Sequence, residues 1–139
     1  MSNTCYGAFL DPFVKDIRLR NNHFTHSNDL CTGFPIAGII LDGTINARVE
    51  NNYVEDWKNG DPKSAGIAIV DDPCNDPRAP SLSCITGGSG TAVARGNLVK
   101  GNKLRENDLD IRKETQGKGN VVKKNDCSTS QPAGLCRSR

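Results

Sequence analysis

Three aspartates end three similar apolar segments: Gly7-Ala8-Phe9-Leu10-Asp11, Gly38-Ile39-Ile40-Leu41-Asp42 and Gly66-Ile67-Ala68-Ile69-Val70-Asp71, the last followed by Asp72. If the segments stack as neighbouring strands, about 4.8 Å apart, their carboxylates line one edge, with Asp76 nearby. Carboxylates so placed repel one another. The repulsion either raises one pKa toward use as a general acid, or is relieved by a hard cation such as Ca2+. The first outcome makes Asp42, Asp71 and Asp72 catalytic candidates, and the second makes Asp71 and Asp72 metal-ligand candidates. A third role is structural, because Asp ends strands well by accepting hydrogen bonds from the backbone of the next turn.

Whether these carboxylates meet depends on the elements that carry them, and a repeat supplies those elements. Asn22, Asn52, Asn102 and Asn125 lie 30, 50 and 23 residues apart. Three residues earlier stand Leu19, Val49, Val99 and Val122, and two later stand Phe24, Val54, Leu104 and Cys127. Both columns are apolar, with Arg20, Glu50, Lys100 and Lys123 between them. That alternation is the period of short strands with one face buried. The Asn falls where the alternation breaks, and Asn tolerates the left-handed backbone region, so strand, Asn, strand reads as a tight corner. Constant corners separated by insertions of variable length are the signature of a solenoid. Coils are expected over about 7–30, 36–57, 64–107 and 108–127, with a capping tail over 128–139, in one domain. No amphipathic helix precedes Gly7, so the chain reads as the C-terminal part of a longer stack.

Stacked asparagine corners between short strands resemble the right-handed parallel β-helix family, the pectate-lyase-like superfold. The resemblance covers about residues 7–127 and implies an all-β fold of about four coils with long loop insertions. It also implies a carbohydrate-active or carbohydrate-binding protein, similar to polysaccharide lyases, hydrolases and epimerases, acting along the sheet of the upstream strands. On that analogy carboxylates or a cation at Asp42, Asp71 and Asp72 neutralise a uronate, and Arg48 or Lys113 accepts the proton. The superfold hosts non-catalytic proteins as well, and the family's full motifs are missing. Of the hydrolase set only Asp71-Asp72 is present, and where the epimerases carry Asp-Pro-His this chain has Asp11-Pro12-Phe13. Arg18 and Arg48 stack in register like a lyase's basic residues, and equally suit a solvated outer face. The alternative function is a non-catalytic structural or protein-interaction module.

The remaining sequence features narrow the partners. If Leu10, Leu41 and Ile69 point inward, then Phe9, Ile40, Ala68 and Asp110 point outward, so the expected groove floor is largely apolar. It could stack a sugar through Phe9 or Trp57, lie under loops, or pack against a protein partner or a second copy. Trp57 could equally lid the core. Lys113 completes the candidate substrate-binding set. Net charge is +2, with interspersed charges and 5% aromatic residues, which argues against nucleic acid. Mean hydropathy is −0.54 and no apolar run approaches a membrane span. Six cysteines fall into close pairs, suggesting Cys5–Cys31, Cys74–Cys84 and Cys127–Cys136 among many possible connectivities. None has zinc-site spacing, so disulfides in an oxidising, extracellular setting are expected. His23 is expected to pack or hydrogen-bond beside Tyr53. Gly87-Gly88-Ser89-Gly90 lacks the Lys-Ser/Thr of a phosphate loop, and the scattered threonines exclude an ice-binding ladder.

Overall fold

A computed structural model describes residues 4–26, 28–75, 84–85 and 90–137. Nearly all regular structure in it is β, and every strand pairing is parallel. The chain visits three sheets in turn. β1 (Tyr6–Leu10), β4 (Ala37–Asp42), β7 (Ala65–Val70), β10 (Leu109–Glu114) and β12 (Ser130–Gln131) form the first, in that order. β2 (Arg18–Arg20), β5 (Arg48–Glu50), β8 (Leu98–Lys100) and β11 (Val121–Lys123) form the second, and β3 (His23–Thr25), β6 (Tyr53–Glu55) and β9 (Lys103–Arg105) the third. The tail expected only to cap thus adds a fifth strand to the first sheet. No helix among the described residues is long and apolar enough to cross a membrane.

Inward residues of all three sheets meet in one core. Ile39, Leu41, Ile67, Ile69 and Ile111 come from the first sheet, Val49 and Val99 from the second, Val54 and Leu104 from the third. Each such side chain contributes roughly 1.5–3 kcal/mol by leaving water. The registers Leu19↔Val49↔Val99↔Val122 and Phe24↔Val54↔Leu104 are those of the repeat.

The corners work differently from the sequence expectation. The left-handed residue is the one before each repeat Asn: Asn21 (φ 58°), Asn51 (56°), Gly101 (68°) and Lys124 (56°). Asn22, Asn52, Asn102 and Asn125 themselves turn inward and build a ladder. The Asn52 backbone N–H and Nδ2 donate to Asn102 Oδ1 at 2.9 and 3.0 Å, and the Asn102 pair donates to Asn125 Oδ1 at 3.0 Å each. Asn102 Nδ2 also donates to Val49 O at 3.0 Å. Every amide is therefore satisfied in the interior, where an unpaired one would be costly. Two further corners repeat the device. Asn97 and Asn120 follow the left-handed Gly96 and Gly119, and Asn107 follows the left-handed Glu106. The chain thus turns three times per circuit, each time by a left-handed residue followed by a position that an inward Asn often fills.

A slip in the first sheet corrects a second expectation. A Cβ on Gly38 would lie 2.5 Å from Val54 Cγ1 and 2.9 Å from Trp57 Cδ1, so this position faces the core, as Ile39 beside it does. Two successive inward positions shift the alternation by one residue. Asp110 lies opposite this glycine column, between Leu109↔Ala65 and Ile111↔Ile67, and the outward column is Phe9, Ile40, Ala68 and Arg112. Asp110 instead accepts bonds from the Ser128 and Thr129 N–H groups and from Asn107 Nδ2, bracing the next turn.

Disulfides join Cys5 to Cys31, Cys74 to Cys84 and Cys127 to Cys136, as the close spacing suggested, and no cysteine among the described residues is free. Bridges closing loops of this size contribute about 2–4 kcal/mol each.

Candidate functional site

The first sheet's outer face gathers the titratable groups. Asp42 is the last residue of β4, and Val70, its register neighbour, ends β7. After Val70 the chain makes an antiparallel bridge: the Asp72 N–H donates to Ala92 O at 2.9 Å, and the Ala92 N–H to Asp72 O at 2.7 Å. The excursion over 73–91 therefore leaves and returns beside Asp42, and the bridge holds Asp72 against it.

Asp42 is 8% exposed and hydrogen-bonded to the Asp72 carboxyl. Burial pushes the Asp42 pKa up to about 8, and the bond to Asp72, then the charges of Asp72, Asp11 and Asp71, push in the same direction. A buried carboxyl beside other carboxyls is costly to ionise, so Asp42 keeps its proton at neutral pH.

Asp71 has a different occupation. Its Oδ1 accepts from the Ala94 N–H at 2.9 Å and from the Thr115 hydroxyl, and its Oδ2 from the Gln116 N–H at 2.7 Å. Asp72 Oδ1 accepts from the Cys74 N–H at 2.8 Å. With Asp71 engaged at both oxygens and Asp42 neutral, the three form a poor ligand set for Ca2+, which favours several charged oxygens. Asp72, Cys74 and Cys84 also lie close together, yet both sulfurs are held in the disulfide and offer no thiolate.

On the other side of Val70 lies a pocket of about 430 Å3 lined by Lys63, Asp71, Arg112, Glu114, Thr115 and Gln116. Arg112 is 8% exposed; its Nε donates to Lys63 O at 2.9 Å and its Nη1 to Glu114 Oε2 at 2.8 Å. Tyr6 faces both charges. Burial raises its hydroxyl pKa, Asp42 adds to the rise and Arg112 opposes it. The Tyr6 ring packs edge-on to Phe9, with centroids 5.2 Å apart.

The apolar floor is mostly closed. Ile40 and Ala68 are buried, and with Ala37, Ala65, Tyr6, Val70 and Leu109 they form a second small core. Phe9, 44% exposed, is the open part of that column. Trp57 is fully buried and donates through Nε1 to Phe24 O at 3.2 Å, so it closes the core. Arg48 lies on the second sheet beside Arg18, with Nε 2.7 Å from Glu50 Oε1, away from the aspartates. Lys113 falls in the core-facing column of Leu10, Leu41 and Ile69, on the opposite side of the sheet from Asp42. His23 stacks on Tyr53 at 4.6 Å, as expected, and its Nε2 lies 2.9 Å from Glu55 Oε1. Asp76 and residues 87–89 of the glycine run lie outside the described residues.

Thus Asp42 and Asp72 meet, Asp71 braces the turn beside them, and Arg48 and Lys113 do not join them. Tyr6, Lys63 and Arg112 were missed. Tyr6 aligns with Ala37, an apolar position, and Arg112 was hidden by the two-residue error that put Asp110 in its column. Compared with protein-family models, curated proteins and solved structures, the chain has no significant match.

Proposed function

We propose that this chain is an extracellular right-handed parallel β-helix that binds and acts on a glycan at the outer face of its first sheet. Asp42 serves as the general acid, Asp72 as its hydrogen-bond partner, and the polar pocket beside Lys63, Arg112 and Glu114 receives sugar hydroxyls. The observation carrying this reading is the buried Asp42 carboxyl bonded to Asp72, next to a pocket that holds Lys63 and Arg112 together with Glu114 and Asp71. An acid with a pKa near 8 holds its proton at neutral pH and can deliver it to a leaving oxygen. The three disulfides suit an oxidising extracellular setting. The three sheets visited in turn, with Asn ladders at the corners, fit the β-helix that the sequence resembles.

The pair constrains the chemistry. Carboxyls in hydrogen-bond contact are closer than the about 5 Å of retaining or the about 6.5–9.5 Å of inverting glycosidases. Proton delivery by Asp42 therefore fits better than hydrolysis by two separated carboxylates. A second reading, a non-catalytic structural or interaction module, is favoured by the three bonds that Asp71 spends on its neighbouring turns. A protein partner or second copy would find only Phe9 open in the apolar column.

The test is a screen of the chain and of Asp42→Asn against uronate-containing and neutral glycans, with and without Ca2+. Unsaturated or reducing products and thermal shift are the readouts. Turnover by the wild type that Asp42→Asn loses supports the acid role. A thermal shift without turnover leaves binding alone, and neither signal on any glycan establishes the module reading.

A further inference from the structure

The second sheet carries a different chemistry on its outer surface. Leu19, Val49, Val99 and Val122 face the core, which leaves Arg18 and Arg20 on β2, Arg48 and Glu50 on β5, Leu98 and Lys100 on β8 and Val121 and Lys123 on β11 facing out. The corner before this sheet continues the surface. Lys15, Arg95 and Lys118 surround a depression of about 400 Å3, and Arg18, Arg48 and Asp16 line a neighbouring one of about 350 Å3; Asn46 borders both. Five cations from the strands and three from the corner stand against Asp16 and Glu50, whereas the whole chain carries only +2. Among the described residues, Arg48 alone of these cations makes an ion pair, with Glu50. Glu50 is held below its usual pKa first by the bond from Arg48, with the charges of Arg48, Arg20 and Lys100 acting in the same direction, so three strand-borne cations converge on it.

We infer that this face binds a linear anionic polysaccharide lying across the strands of the second sheet. Parallel pairing repeats the outward positions about every 4.8 Å, close to the length of one sugar residue in an extended chain. Successive sulfates or carboxylates can therefore meet successive rungs. A surface on which cations outnumber anions raises the local potential and draws a polyanion from solution. Nucleic acid is the poorer fit because no aromatic side chain lies among these outward residues to stack an unpaired base. The face is separate from the Asp42–Asp72 pair on the first sheet, so it would hold a polymer without taking part in proton transfer.

The full chain should bind dextran sulfate and carboxymethyl dextran, and not neutral dextran, with affinity falling as NaCl rises, read by isothermal titration. Sulfate binding alone or carboxylate binding alone identifies the anion source and supports the proposal. The double variant Arg18→Glu/Lys100→Glu should weaken binding by about tenfold or more, while Lys58→Glu/Lys103→Glu, an equal charge change elsewhere, stays within about twofold. The milder Arg18→Gln/Lys100→Gln covers the case in which charge reversal disturbs folding. Asp42→Asn should leave this binding unchanged, so the face and the first-sheet site can fail separately. Absence of binding at low salt, equal losses in both double variants, or tighter binding of oligothymidylate would overturn the proposal.

Discussion

Replacing Asp42 by Asn tests the retained proton directly. In the folded protein Asp42 keeps its proton to about pH 8, against an ordinary value of 3.8 in the unfolded chain. Below pH 3.8 both states are protonated and the group costs nothing. Between 3.8 and 8 the folded state must hold a proton that the unfolded state has released, so stability falls as pH rises, and it levels off above 8. At about 1.4 kcal/mol per pH unit the full shift is worth roughly 6 kcal/mol. Solvent at the rim reduces it to about 2–3 kcal/mol. Asn has the same shape, can donate its amide to Asp72 and never titrates. Asp42→Asn should therefore match the wild type near pH 4 and exceed it by about 2–3 kcal/mol at pH 8, or about 5–10 °C in melting midpoint. Calorimetry of both proteins across pH 4–9 reads the difference, which cancels the other carboxylates. A difference that stays flat from pH 4.5 to 8.5, or an Asn variant less stable at pH 8, refutes the retained proton.

Three other substitutions examine the scaffold. Asn102→Ala strips the acceptor from the Asn52 N–H and Nδ2 and donors from Val49 O and Asn125 Oδ1; urea unfolding should show a loss of about 3–5 kcal/mol. Gly38→Ala places a methyl against Val54 and Trp57 and should cost about 2–3 kcal/mol by the same assay. Lys124→Gly relieves a left-handed backbone at an exposed corner and should raise stability by up to about 1 kcal/mol, a gain that would be missing if the corner were not left-handed.

The scaffold was legible wherever its cause is local. Alternation around Val49 and Val99 marks strands because a strand with one buried face needs it, and the spacing of Cys127 and Cys136 brings them together at a short loop. The corner asparagines were found for an incomplete reason. Their backbone tolerance was credited, whereas their side chains do the work and Asn21, Asn51, Gly101 and Lys124 make the turns. The other two corners were harder to see because Ala47 and Trp57 interrupt the Asn columns that Asn97 and Asn107 mark. The site was legible only in part. Asp42 and Asp72 share the end of a strand column, while Ile111 rather than Leu109 pairs with Ile67, so Arg112 stands in the place expected for Asp110.

Sequence alone thus determined the short strands and their register across the Asn repeat, since each follows from side-chain period, and nearness along the chain suggested the disulfide pairs that the structure forms. Only the tertiary structure decided which charges meet. Arg48 is six residues from Asp42 yet lies around a corner on another sheet, and Asp72, thirty residues away, is hydrogen-bonded to it. Electrostatic coupling depends on distance and dielectric through space, and the antiparallel bridge from Asp72 to Ala92 sets both.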